Sequence, residues 1–250
     1  MPLPDALPTL LLLAFSLFVL AWLSNQLSLR TQFVVYYLTG SLDLATVAIF
    51  LLLMPGVFVH ELSHWVAAKL LGLRPSRFRV WPKRQKGSLG LGSVNVRSGG
   101  PWRDSIVGMA PLMTGSVLLA LVGAAVFQSD LLLGQLEQGR LLDTLGAFFD
   151  ALARPDGLVW AYALFVIGNS MMPSRSDRQP LRSLLLYVAL AALIYFVVGL
   201  PVDPFTALLG WLIPGIQVLA GALLFVILLD VVVVSVLYLL EAVLGGARGR

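Results

Sequence analysis

Residues 51–71 read LLLMPGVFVHELSHWVAAKLL, an apolar stretch interrupted by His60, Glu61, Ser63 and His64. About 20 consecutive apolar residues are what a helix needs to cross the hydrocarbon core of a bilayer. Ionisable side chains inside such a stretch are costly, and they persist where they serve a site. The stretch therefore predicts a membrane-embedded helix that carries chemistry.

The composition around it agrees. Of the 250 residues, 58% are apolar and only 12% are charged, against about 25% charged in ordinary soluble domains. Mean hydropathy is +0.90. With no cysteine in the chain, disulfides and thiolate metal sites are excluded, and any metal must be held by His, Asp, Glu or backbone groups. The net charge of +4 speaks to topology and anionic lipid; nucleic acid is not expected as a partner. Met1 to Pro8 contains no Lys or Arg, and no small-residue cleavage pattern follows Leu10 to Leu23. This N-terminal run reads as a retained first span.

Six spans are expected, at about 7–25, 44–71, 105–128, 157–173, 181–200 and 213–240. The segment 31–40 is too short to cross and suits the interface through its tyrosines. Arg and Lys crowd residues 73–104 and 174–182, and Arg248 and Arg250 sit in the tail, whereas 129–156 is acidic. By the positive-inside rule the basic segments are cytoplasmic and the acidic one is outside. Six spans alternate with these assignments and put both termini and the metal-motif side in the cytoplasm, in a multi-pass protein of the cell membrane. Leucines and phenylalanines at helical spacing over 131–152 predict an amphipathic helix on the outer surface. Residues 78–96, just after the motif helix, read as a β-hairpin. The expected fold is an all-α polytopic membrane bundle with that small hairpin, in a single domain over 1–250.

His60 and His64 are four residues apart, so both imidazoles leave one helix face. Together they can reach one zinc at about 2.0–2.1 Å. Glu61 follows the first histidine, where a carboxylate can reach a water on that metal. Zinc lowers the pKa of such a water to about 7, and Glu61 takes its proton as the oxygen attacks a carbonyl. The chain has two histidines in all, and both are in the motif. A hydrolytic zinc site usually has three protein ligands and one open position, so the third must be an acid. Asp177 and Asp230 are the acids near apolar sequence. Asp230, mid-span among Leu and Val, reads equally as a helix–helix hydrogen bond or a functional group.

These motifs resemble the site-2 protease family of intramembrane zinc metalloproteases. In that family His-Glu-x-x-His lies on a membrane-embedded helix, and the third ligand is an Asp in a distant span, in a pattern like Asn-x-x-Pro-x-Pro-x-Leu-Asp-Gly. Asn169 and Asp177 match the Asn and Asp of that pattern, eight residues apart. The chain departs from it at Pro173, one residue late, and in Ser-Asp-Arg where Leu-Asp-Gly is usual. Ala110-Pro111-Leu112 resembles the family's Gly-Pro motif, and a membrane-associated β-element after the motif helix is also a family feature. The resemblance covers roughly residues 44–180, and the chain has no room for the PDZ or CBS modules of many members.

The resemblance implies one zinc ion held by His60, His64 and Asp177, with Glu61 as catalytic base. It implies an endopeptidase whose substrate is a transmembrane segment of another membrane protein. Asn169 is expected to hydrogen-bond the extended substrate backbone, and an edge of the 78–96 hairpin to pair with it. Two other readings stand beside this one: a catalytically silent membrane adaptor or chaperone of the same fold, and a metal-ion transporter using the same ligands. The intact Glu61 argues against the first. The lack of internal repeats argues against the second.

Overall fold

Between Thr9 and Thr39 the chain has neither glycine nor proline, so nothing breaks a helix once it starts. The computed structural model describes residues 3–75, 83–85, 88–90, 98–199 and 201–248. In it helix α1 runs unbroken over Leu3–Thr39. At 1.5 Å per residue that is about 55 Å, well beyond the roughly 30 Å hydrocarbon core. The expected separate interfacial segment 31–40 is thus corrected: it is the last turns of α1. Gly40, at φ +70°, ends the helix, and Ser41 caps the next by accepting from the Leu44 N–H.

Helix α2 (Leu42–Leu70) carries the motif. Helix α3 spans Pro101–Val122 and continues as a π-helical turn over Gly123–Phe127. The amphipathic stretch expected at 131–152 is two helices, α4 (Ser129–Glu137) and α5 (Leu141–Leu152). They break at Gly139, whose φ of +73° no helix accommodates. Helix α6 (Gly157–Ser170) follows at 108° to α5. Helix α7 covers Arg175–Val197 and α8 covers Asp203–Arg248. Most of the connection expected at 201–212 is therefore the first turns of α8. Two short strands, β1 (Lys83–Gln85) and β2 (Ser88–Gly90), pair antiparallel with Arg84 opposite Leu89. The rest of the expected 78–96 hairpin lies outside the described residues.

The protein is a helical membrane protein. Among the described residues four helices are long and apolar enough to cross a bilayer, and five if the bent α5–α6 pair counts as one span. Large apolar side chains such as Phe15, Phe18, Leu142 and Leu193 lie exposed, as lipid-facing surfaces require. The core gathers Leu20, Leu119, Phe148, Leu164, Leu223 and Phe225, with Phe225 stacked on Phe127 at 4.2 Å between ring centroids.

Helices α1 and α8 form the most extensive interface, and they run in the same direction. Ser24 of α1 and Asp230 of α8 both bond to Asn169. Further along, Arg30 binds Glu241 at 2.6 Å and lies over the Tyr238 ring. Further still, Tyr37 approaches Gly245. Parallel neighbours that both span a bilayer cross it in one direction. Six alternating spans would make the first and last antiparallel, so this pairing corrects both the six-span alternation and the placing of both termini on one side. The charge pattern could not reveal the error, because α7 is a helix whose described apolar part, Leu185–Val197, is short for a span.

Candidate metal centre

Four helices build the site around the end of α2. His60 and His64 project from one face with their Nε2 atoms 3.2 Å apart. Asp177, in the first turn of α7, brings Oδ1 to 3.4 Å from His64 Nε2 and Oδ2 to 3.8 Å from His60 Nε2. Among the described residues these three are the one group of His, Asp and Glu side chains whose ligand atoms gather this closely, all within 4.8 Å of one another. Asp230 is not in it.

The rings are held from behind. His60 Nδ1 bonds to the Ser170 carbonyl of α6 at 2.6 Å, and His64 Nδ1 to the Val107 carbonyl of α3 at 2.8 Å. A carbonyl oxygen only accepts, so each Nδ1 carries a ring hydrogen, and the neutral form of each ring has its Nε2 lone pair facing inward. In that form two lone pairs and a carboxylate converge. A cation satisfies that arrangement. The spacing fits zinc: two ligand atoms about 2.0–2.1 Å from a tetrahedral ion lie about 3.3–3.4 Å apart. The nitrogen pair at 3.2 Å and the His64–Asp177 pair at 3.4 Å are near that separation, and the His60–Asp177 pair, at 3.8 Å, is wider. Backbone carbonyls behind both histidines are the usual partners that fix a metal-ligating imidazole.

Two glycines make room for this framework. A Cβ on Gly56, one turn before His60, would fall 2.0 Å from the Val166 carbonyl oxygen and 2.5 Å from Ser170 Oγ. A Cβ on Gly108 would fall 2.5 Å from the Asp177 carbonyl oxygen. Without them α6 could not bring its last carbonyl to His60, nor α7 its first turn to the histidine pair.

Glu61 is buried on the same helix. At 100° per residue it lies about 60° around the axis from His64, on the flank of the metal face. On the other flank of the histidine face from Glu61, α2 and α3 border an open pocket of about 460 Å³. Its lining is almost wholly apolar, with Val59, Leu62, Val66 and Met113 among the side chains and Ser63 and Thr114 as the hydroxyls.

Asn169 takes a part that the sequence did not suggest. It is buried, and its Nδ2 donates to the Phe165 carbonyl at 3.0 Å and to Asp230 Oδ1 at 2.8 Å. The amide ties α6 to α8 one residue before the carbonyl that holds His60. Its Oδ1 is buried, with no hydrogen-bond partner among the described residues. Asp230, fully buried, makes the helix–helix hydrogen bond that was one of its two expected roles.

Sequence reasoning missed the supporting residues. Ser170 and Val107 act through carbonyls, which leave no mark in a sequence. Gly56 and Gly108 were visible only as glycines in apolar runs. Ser174-x-x-Asp177 did carry a signal, the spacing of a helix capping box. Comparison of the chain with protein-family models, curated proteins and solved structures returns no match.

Proposed function

We propose that the chain is an intramembrane zinc endopeptidase, with His60, His64 and Asp177 as metal ligands and Glu61 as general base, as its resemblance to site-2 proteases implies. The observation that carries the reading is the convergence of two Nε2 atoms and one carboxylate, with two of the three separations near tetrahedral values. A transporter or adaptor does not call for a buried carboxylate beside that face; a hydrolase does.

Zinc bound there would act as a Lewis acid, polarising the scissile carbonyl and acidifying water. The protein's own groups do the rest. The carbonyls of Ser170 and Val107 keep both rings in the ligating tautomer. Glu61 accepts the proton of the attacking water and returns it to the leaving amine. The open apolar pocket between α2 and α3 suits the side chains of a membrane-embedded substrate segment. Such a segment must unwind before a backbone carbonyl can be attacked.

The basic residues of 73–104 and 174–182 flank the metal site along the chain, so the positive-inside rule assigns that end to the cytoplasm. Since α1 ends where α2 begins, the start of α1 shares the cytoplasmic side, and the end of α8, parallel to α1, lies opposite.

The test is metal content joined to cleavage. Wild-type protein purified in detergent should hold one zinc, and His60→Ala should hold none. In liposomes the wild type should cut a single-span protein whose apolar segment is interrupted by Gly and Pro, and a chelator should stop it. A zinc-free wild type, or cleavage that Glu61→Gln leaves untouched, would sink the proposal.

A further inference from the structure

Asp177 performs two tasks with one carboxylate. Besides facing the histidine pair, it is the third residue of α7, and it closes a capping box with Ser174. The Ser174 N–H donates to Asp177 Oδ2 at 2.8 Å, and the Ser174 hydroxyl donates to the same oxygen. In return the Asp177 N–H donates to Ser174 Oγ. Oδ2 thus accepts two hydrogen bonds and stands 3.8 Å from His60 Nε2, while Oδ1 makes the shorter approach to an imidazole, 3.4 Å from His64 Nε2. The two oxygens differ in what surrounds them.

We propose that Ser174 is a positioning residue for the metal centre: by holding Asp177 Oδ2 it reserves Oδ1 as the single ligating oxygen. The inference rests on the metal reading and adds to it the selection of one carboxylate oxygen by a helix cap. A free carboxylate can swing both oxygens onto a cation. One whose second oxygen is committed to an N–H and an O–H offers a single oxygen in a fixed direction, which leaves a coordination position open for substrate. The arrangement also ties the start of α7 to the metal. Gly108, whose missing side chain admits the Asp177 backbone, allows the cap to form at the right distance from α2.

The experiment uses full-length protein in detergent, with Co²⁺ as probe ion. Its visible absorption is stronger in four-coordinate than in five-coordinate sites, so it reports whether a second oxygen has joined. Ser174→Gly is the decisive variant, because glycine is nearly as good as serine at a helix N-cap yet has no hydroxyl. It should leave helix content unchanged, weaken Co²⁺ about 10- to 100-fold in chelator competition, and reduce the visible band as Oδ2 turns inward. Ser174→Thr, which restores a hydroxyl, should recover both affinity and spectrum. Wild-type affinity and spectrum in Ser174→Gly would overturn the proposal, as would a Ser174→Thr protein no better than Ser174→Gly. A wild type that binds no Co²⁺ would instead defeat the metal reading beneath it.

Discussion

Gly56→Ala is the substitution that the geometry judges most severely. The added methyl would sit 2.0 Å from the Val166 carbonyl oxygen, and real Cβ contacts essentially never fall below 3.0 Å. Helices α2 and α6 must therefore part by at least about 1 Å, since a backbone carbonyl within a helix has no rotamer to escape into. One turn along, the His60 Nδ1 to Ser170 bond begins at 2.6 Å. A parting of about 1 Å stretches it to about 3.6 Å, where it no longer counts as a hydrogen bond. Two effects follow. Overpacking costs about 1–3 kcal/mol of stability, partly offset by the better helix propensity of alanine, about 0.5–1 kcal/mol. Losing the partner that fixes an imidazole weakens metal binding about 10- to 100-fold. The assay is zinc retention against graded chelator, with Gly146→Ala as control: Gly146 lies in α5 with open space where a Cβ would stand. The control should retain zinc as the wild type does. If Gly56→Ala folds and also retains zinc within twofold of wild type, the close approach of α6 is not what orients His60.

Other substitutions separate the roles within the site. Glu61→Gln should keep zinc stoichiometry and lower the cleavage rate by about 10²- to 10⁴-fold, since an amide accepts no proton; zinc analysis and a gel-based cleavage assay decide it. Asp177→Ala should release metal at chelator concentrations the wild type withstands. Asp230→Leu should hold its zinc and change chiefly in thermal stability, because its carboxylate bonds only to Asn169 among the described residues; the opposite ranking would move the third ligand to α8. In this cysteine-free chain, Arg84→Cys should be labelled by an impermeant thiol reagent from the cytoplasmic side and Asp143→Cys from outside. Epitope tags at the two ends should then report opposite sides, and tags on one side would refute the parallel crossing of α1 and α8.

The sequence disclosed the membrane class and the histidine pair of the site, and each for a local reason. Apolar run length is a property of consecutive residues. The i, i+4 spacing of His60 and His64 is a property of one helix turn. What it hid was relational. Whether residues 31–40 lie in the interface or continue α1 depends on whether anything stops the helix, and the tyrosines there drew attention from the absence of glycine and proline. Charge counting gave six alternating spans because it cannot see which helices are neighbours; the Arg30–Glu241 pair, 211 residues apart, is where that information resides. Asp177 and Asp230 were not separable from local sequence, since both are acids near apolar runs. They part only once α7 starts beside α3 and α8 lies against α6.

The same neighbours set an order of events during synthesis. By the time residue 177 has been made, His60, His64 and Asp177 all exist, together with the two carbonyls that hold the imidazoles. Asp230 is still 53 residues from being made, so the amide of Asn169 has only Phe165 to bind. The brace that fixes the end of α6 closes when α8 enters the bilayer and finds α1, the first helix to have arrived. Pairings so distant along a chain form slowly, because a long loop must be closed before any contact is gained. A nascent chain therefore holds all three candidate ligands before the helix that braces α6 through Asn169 has been made.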